Sequence, residues 1–392
     1  MRWRLRLEHV VERASGRRIA AIDPELRPVL AIGALQLLFL DRVPAHAAVD
    51  EAVAEAKRRR GPGAAGFVNA VLRNIASAGA LSAWPVDAAS EDERLAIETS
   101  HPLELVRRWR ARFGDEAARR ALEADNSARA LHLLAFADRG GRDALAAALA
   151  AEAIVTEPGT LAPGALVVRS GAPLASAAFA RGDGYVQDEA SQAAALVPRP
   201  RPGERILDAA AAPGGKGLAI LAFEPSARVT FADAAPRRLP RLVANARRLG
   251  RRLEIVAADG RRPPWRDGAF DRVVIDAPCS GTGTLRRHPE LRWRFRAAEL
   301  ERLARDGGAM LAALAPAVAP GGLLVHVTCS VEAEENEQVL DRFVAANPAF
   351  EPFDLDARDP WVESGRTAPG RWRVLPGAGH DGFSVGVLRR RT

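Results

Sequence analysis

From about residue 184 onward, short apolar runs alternate with helix-length segments, and that alternation dictates a mainly parallel sheet with crossover helices. The runs at 205–209, 229–232, 253–257, 272–275 and 323–328 are the expected strands, and the clearest helices between them are 239–249 and 298–318. Parallel strands are covered on both faces, so they need near-continuous apolar runs rather than strict alternation. Residues 371–375 and 383–388, separated by a Gly-rich turn, are expected to close one edge as an antiparallel hairpin.

The preceding sequence has a different texture. In residues 1–84, Leu26, Val29, Leu30, Ile32, Gly33, Leu37 and Leu38 recur at helical spacing, with further helices expected at 50–60 and 67–76. No β alternation occurs there, so this part is expected to be an all-α domain. Residues 88–178 mix helix over 101–125, strands at 131–136 and 166–169, and an Ala-rich helix at 143–153, which predicts a small α+β module. The 392 residues therefore divide into three expected domains, 1–84, 88–178 and 180–392. The apolar run at 29–40 falls short of the roughly 18–20 residues that a membrane span requires, and the basic start lacks the apolar core of a signal peptide. A cytoplasmic protein with no membrane partner is the expectation, and a monomer is expected.

The glycine turn carries the first chemical signal. Ile206-Leu207-Asp208-Ala209-Ala210-Ala211-Ala212-Pro213-Gly214-Gly215-Lys216-Gly217 is a strand, a small-residue turn and a helix start. Small residues let a ligand approach the backbone where helix amides face the crevice. A phosphate loop is excluded because Ala210 stands where its first glycine belongs, and this turn lacks the Gly-x-Gly-x-x-Gly dinucleotide pattern. Asp233 ends the second strand, placed to accept the hydroxyls of a ribose; Asp259 follows the third, placed to meet an adenine amino group; Asp276 ends the fourth. A nucleoside-bearing cofactor fits such a crevice. All but two of the 56 basic residues are arginine, so Lys216 departs from the habit of the chain.

Only two cysteines occur, too few for a disulfide framework or a four-thiolate zinc site, and no metal is expected. Cys279 follows the fourth strand in Asp276-Ala277-Pro278-Cys279-Ser280-Gly281-Thr282-Gly283, and Cys329 follows the fifth in Thr328-Cys329-Ser330-Val331. Adjacent strand ends bring both thiols to one crevice. A thiolate that adds to carbon 6 of cytosine makes carbon 5 nucleophilic towards a sulfonium methyl, which splits one hard step into easier ones. Asp276 is placed to assist at ring nitrogen 3, where a carboxyl must be protonated or share a proton. The base must leave any stack, and Arg286, Arg287, His288, Arg292, Arg294 and Trp293 follow closely, offering phosphate contacts and a stacking surface. A net charge of +7 suits a polyanionic partner.

These motifs resemble the bacterial 16S ribosomal RNA cytosine-5 methyltransferases of the Sun/Fmu (NusB-domain) type. The likeness rests on 276–283, on Arg286-Arg287-His288-Pro289-Glu290-Leu291-Arg292-Trp293, on Thr328-Cys329-Ser330-Val331 with Glu335-Asn336, and on Gly184-Tyr185-Val186-Gln187-Asp188-Glu189-Ala190-Ser191-Gln192. It implies a Rossmann-like methyltransferase domain. It also implies S-adenosylmethionine bound by Ala210, Ala211, Ala212, Pro213, Gly214, Gly215, Lys216, Asp233, Asp259 and Asp276. Cys329 would be the nucleophile, Cys279 would act in product release, and 16S ribosomal RNA would be the partner. The helical start resembles a NusB-like RNA-binding domain shortened at its beginning, on Pro44-Ala45-His46-Ala47-Ala48-Val49-Asp50 and Gly66-Phe67-Val68-Asn69. The chain departs from the family pattern at Leu134-Ala135-Phe136, where the family has Arg-x-Asn, and at Gly217, where it usually has threonine. Two other readings fit the same residues: a cytosine-5 enzyme acting on tRNA or DNA, with Cys279 as attacker in the DNA case, and a non-catalytic RNA-binding assembly factor.

Overall fold

In the computed structural model the first 126 residues form helices and no strand, as their helical apolar spacing requires. The structure describes residues 1–355, 360–377 and 379–392, in two units, Met1–Asn126 and Ser127–Thr392. In the first unit, helices Arg4–Ser15, Arg27–Phe39 and Ala45–Ala78 bury Val10, Leu30, Ala56, Val68, Leu72 and Ile75. The helices expected at 50–60 and 67–76 are the two halves of Ala45–Ala78, separated at Gly61, whose φ of 80° and following Pro62 interrupt the ladder. Gly33 lets two helices touch, since a Cβ there would lie 2.6 Å from Leu72. Helices Glu91–Thr99, Leu103–Phe113 and Asp115–Ala124 belong to this unit and not to the middle module. The compact helical unit thus runs on to Asn126, past the residues 1–84 expected as the first domain. The physical reason is that an amphipathic helix packs on any complementary apolar face, and sequence periodicity does not say which.

The second unit carries two sheets. Strands β1 (Leu131–Ala135), β2 (Val155–Pro158), β3 (Ala165–Ser170) and β4 (Gly184–Val186) form an antiparallel sheet of order β2-β3-β1-β4. The larger sheet contains β5 (Arg205–Asp208), β6 (Arg228–Asp233), β7 (Glu254–Ala257), β8 (Phe270–Asp276), β9 (Val318–Thr328), β10 (Phe350–Pro352), β11 (Arg366–Ala368), β12 (Arg371–Val374) and β13 (Phe383–Arg390). Its order is β11-β12-β13-β9-β8-β5-β6-β7, with β10 beside β13. Strands β7, β6, β5, β8 and β9 are parallel; β13 and β12 continue antiparallel at the β9 edge. This is the Rossmann-like arrangement expected from the alternating pattern. Ile206, Val274 and Val325 belong to one apolar cluster, while Leu207, Val273, Ile275 and Leu324 belong to another, as the two-residue side-chain period demands.

The strand order reverses between β5 and β8. At such a switch point the flanking loops diverge and leave a crevice beyond the carboxyl ends of the strands. Ala209 N donates to Val274 O at 2.9 Å, Ala211 N to Ala232 O at 2.9 Å, and Ala258 N to Asp233 O at 3.2 Å, so the four ends are laced together. Among the described residues no helix is long and apolar enough to cross a membrane, and no group of three or more His, Cys, Asp or Glu could hold a metal ion.

Candidate active site

The loop after β5 is shaped from below by Asp208. Its carboxylate is fully buried and accepts from Gly217 N at 2.8 Å, pinning the first turn of helix Gly215–Phe223. Its Oδ1 has no hydrogen-bond partner, and burial pushes the group up to about 7 against the pull of that amide. Gly214 has a φ of 117°, and a Cβ there would lie 2.9 Å from Leu242 and 3.0 Å from Leu218. Only glycine fits the turn. Ala211 and Ala212 are buried, while Ala210 and Gly215 are half-buried and Pro213 is exposed, so the rim of the crevice is backbone and small side chains.

The carboxylates expected at strand ends are there, each with a partner. Asp233 accepts from Ala212 N at 3.1 Å and Ala235 N at 2.9 Å, and pairs with Arg238 at 3.2 Å. Asp259 accepts from Arg261 N at 2.9 Å, and the Arg261 guanidinium holds it below the usual carboxylate range. Asp276 Oδ2 lies 3.0 Å from Lys216 Nζ. The same ammonium lies 3.2 Å from Ser191 Oγ and 4.8 Å from the centre of the Phe383 ring. The two loop lysine neighbours thus come from the helix Glu189–Ala195 and from β13.

The thiols converge. Asp276 pairs with Val327 in the parallel register of β8 and β9, and Ala277 N donates to Val327 O at 2.8 Å, so both strands release their loops at one level. Cys279 Sγ and Cys329 Sγ stand 3.5 Å apart, both half-buried. The hydrogen bond with Cys329, then burial, holds the Cys279 thiol well above its usual range, and the carboxylates of Glu335 and Asp276 add to the effect. Gly283 N donates to Cys329 O at 2.9 Å, which stitches the two loops together. A pair of sulfurs beside an ion-paired carboxylate can form one covalent bond to a substrate while retaining a second thiol for proton transfer.

The basic cluster is where the structure corrects the sequence. Arg286 and Arg292 are buried, at 2% and 0% exposure, and are not surface phosphate contacts. Arg286 donates to Gly377 O at 2.8 Å and to His380 O, tying its own loop to the β12–β13 connection. Arg287 donates to Asp381 at 2.5 Å and lies 3.8 Å from Asp188. Burial, then Asp188, pushes Asp381 up to about 6, with Arg287 opposing. His288 is exposed and faces Glu290 at 3.4 Å, and Trp293 is half-buried. Guanidinium donors satisfy carbonyls and carboxylates as well as phosphates, which is why a loop sequence does not reveal their direction.

Comparison with known proteins settles the family. The model of the family described as 16S rRNA methyltransferase RsmB/F matches residues 195–389, and the NusB family matches residues 1–77. A probable ribosomal RNA small subunit methyltransferase B of Bacillus subtilis is 35% identical over 94% of this chain and 84% of its own length. The chain belongs to the 16S rRNA methyltransferase RsmB/F family. It is therefore an enzyme of the methyltransferase class with a NusB domain at its start. The crystal structure of PH0851 superposes with a TM-score of 0.78 at 25% identity, covering 98% of this chain and 86% of that one. The structure of NSun6 from Pyrococcus horikoshii with SFG shares the fold, with a TM-score of 0.63 at 19% identity over 74% of this chain and 98% of that one.

Several residues at this site have a role that the sequence alone does not reveal. In the sequence Asp208 is one residue of the strand-and-turn segment, Asp381 lies in no motif, and Ser280, Ser330 and Glu335 lie inside motifs without a role of their own. The available signal was the serine that follows each cysteine.

Proposed function

We propose that this enzyme transfers a methyl group from S-adenosylmethionine to carbon 5 of a cytosine in 16S ribosomal RNA, with Cys329 as the covalent nucleophile. The observation that carries the reading is the 3.5 Å separation of the two thiols at adjacent strand ends, beside Asp276 and its lysine. The crevice suits the cofactor: a small-residue turn, buried amides, and carboxylates at the ends of β6 and β8 and just beyond β7 fit an adenosine moiety. Loop 210–216 with Asp233 and Asp259 would hold it, Asp233 giving up its Arg238 partner to a ribose. When bound, S-adenosylmethionine supplies an electrophilic methyl group on a sulfonium.

Cys329 adds as thiolate to carbon 6 of the flipped cytosine, forming a C–S bond and moving the ring electrons towards nitrogen 3 and carbon 5. Asp276 holds the nitrogen 3 edge. A carboxyl in that place must be protonated or share a proton, and the Lys216 ammonium 3.0 Å away is the group that shares it. After methylation the proton on carbon 5 leaves, the C–S bond breaks, and Cys329 is regenerated. Cys279 serves this second half. In the resting enzyme the hydrogen bond with Cys329, then burial, keeps the Cys279 thiol above the usual range. At 3.5 Å from the attacking sulfur, Cys279 is the group placed to take the carbon 5 proton of the adduct.

The NusB-like unit and the surface around His288 and Trp293 are the proposed RNA contacts. The test is to incubate the enzyme with S-adenosylmethionine and unmodified small-subunit RNA, then digest to nucleosides and analyse by mass spectrometry. 5-Methylcytidine, together with a 5-fluorocytosine RNA adduct mapping to the Cys329 peptide, is the expected result. Methylation of ribose or of another base, or an adduct on the Cys279 peptide, overturns the reading.

A further inference from the structure

Each cysteine is followed by a serine, and both serines turn inward to the same carboxylate. Ser280 N donates to Glu335 Oε1 at 2.6 Å, Ser280 Oγ donates to Oε2 at 2.7 Å, and Ser330 Oγ donates to Oε2 as well. The two hydroxyls are 3.2 Å apart, and Thr282 Oγ1 lies 3.2 Å from Ser330 Oγ. Glu335 itself is fixed from behind. His326, buried in β9, meets its carbonyl oxygen at 3.0 Å, and the next residue, Asn336, donates to Ser330 O at 3.2 Å and to Glu332 O at 2.7 Å. Thr328 Oγ1 donates to Asn336 Oδ1 at 2.7 Å, closing the loop around Cys329.

Glu335 is 1% exposed, and burial raises its carboxyl above the usual range against the hydrogen bonds from Ser280 and Ser330, with no cation prominent beside it among the described residues. Burying a carboxylate without a cation is costly, and here only hydrogen bonds offset the cost. Those bonds go to the residue next to each thiol. A carboxylate has two oxygens at fixed separation, so it serves as a rigid spacer between the two loops that gripping it from opposite sides holds in register.

We propose that Glu335 is a positioning residue that sets the distance between the Cys279 and Cys329 sulfurs. The proposal rests on reading those two thiols as the reacting pair, but the spacing it predicts is measurable without RNA. What matters is the reach of the side chain and its two-oxygen shape. Glutamine keeps that reach and can satisfy the same rotatable hydroxyls; aspartate keeps the charge but is one methylene too short.

The experiment uses the full-length enzyme and its Glu335→Ala, Glu335→Gln and Glu335→Asp variants. Phenylarsine oxide reads the spacing: its arsenic exchanges one oxo group for two thiol sulfurs with release of water, and no electrons are transferred. Because the second As–S bond is intramolecular, arsenical affinity is expected to fall about tenfold or more in Glu335→Ala and Glu335→Asp as the effective concentration drops. It should remain within a few-fold of wild type in Glu335→Gln. Methyl transfer is expected to follow the same order, with kcat down about 100-fold in the alanine and aspartate variants. KM for S-adenosylmethionine should be unchanged, and glutamine should retain most of the rate. Wild-type arsenical affinity in Glu335→Ala overturns the proposal. So does recovery of affinity and rate by aspartate but not by glutamine, because charge and not reach would then be decisive. The glutamine and aspartate pair keeps the test valid if the alanine variant does not fold. If the arsenical order holds while no variant, wild type included, makes 5-methylcytidine, the positioning role stands and the proposed reaction falls.

Discussion

Lys216 Nζ stands 3.0 Å from Asp276 Oδ2, so the helix after β5 is tied by charge to the end of β8 across the switch point. The lysine side chain is 7% exposed and the aspartate 34%, which places the ammonium below the crevice and the carboxylate at its surface. In this arginine-rich chain the lysine sets a compact ammonium between Ser191, Asp276 and the Phe383 face.

Replacing Lys216 by methionine keeps the stem over Phe383 and removes the cation. Methyl transfer under single-turnover conditions is expected to slow about 100-fold, at the lower end of what a proton-handling group contributes. A rate unchanged from wild type would show that the pair only braces the fold.

The two thiols separate by the stage at which each is needed. Cys329→Ala is expected to abolish the covalent complex with RNA, because no other sulfur lies at that position. Cys279→Ala is expected to form the complex and fail to resolve it, since the partner thiol 3.5 Å away is gone. Denaturing gels of reactions with unmodified RNA check both: a shifted band should accumulate in Cys279→Ala and be missing in Cys329→Ala. The reverse pattern would assign the attack to Cys279.

The fold was legible where burial alone decides the residues. Strands β5, β6, β8 and β9 are apolar because both faces of the sheet are covered, and the glycine turn after β5 is written in Gly214. Convergence of Cys279 and Cys329 was legible because each follows an apolar strand and the strands are neighbours. Direction was not legible. Arg286 and Arg292 point inward, which depends on carbonyls such as those of Gly377 and His380, about ninety residues from Arg286. The Glu335 contact with Ser280 likewise spans 55 residues, and no local spacing encodes it. Short strands β2 and β4 were missed because a few residues carry little periodicity.

Asp208 gives the protein a pH dependence of definite sign. Its carboxyl is pushed from the usual range to about 7 by burial, so the folded state holds the proton more tightly than the unfolded chain does. Between the unfolded value near 4 and about 7, this group makes stability fall as pH rises, by at most about 1.4 kcal/mol per pH unit. Above that window the loss is complete, and below it there is none. Asp208→Asn removes this contribution, so its Tm should drop less than that of wild type between pH 5 and pH 8. Parallel curves for the two proteins would mean that the carboxyl is not strained by burial.

Gly217 stands where the family resemblance led to an expectation of threonine, and the structure gives a packing reason for glycine. A Cβ on Gly217 would run into the ring of Phe231, which is fully buried in β6. The aromatic ring occupies the space that a side chain at 217 would fill. Gly217→Thr alone is expected to cost about 1–3 kcal/mol through overpacking. Phe231→Ala alone is expected to cost about 3–5 kcal/mol by leaving a cavity. Combined, the threonine fills part of that cavity, and the double variant should lose less than the sum by about 1–3 kcal/mol. Urea denaturation of the four proteins measures this coupling. Strict additivity would show that the two positions do not share volume, and the glycine would then need another cause.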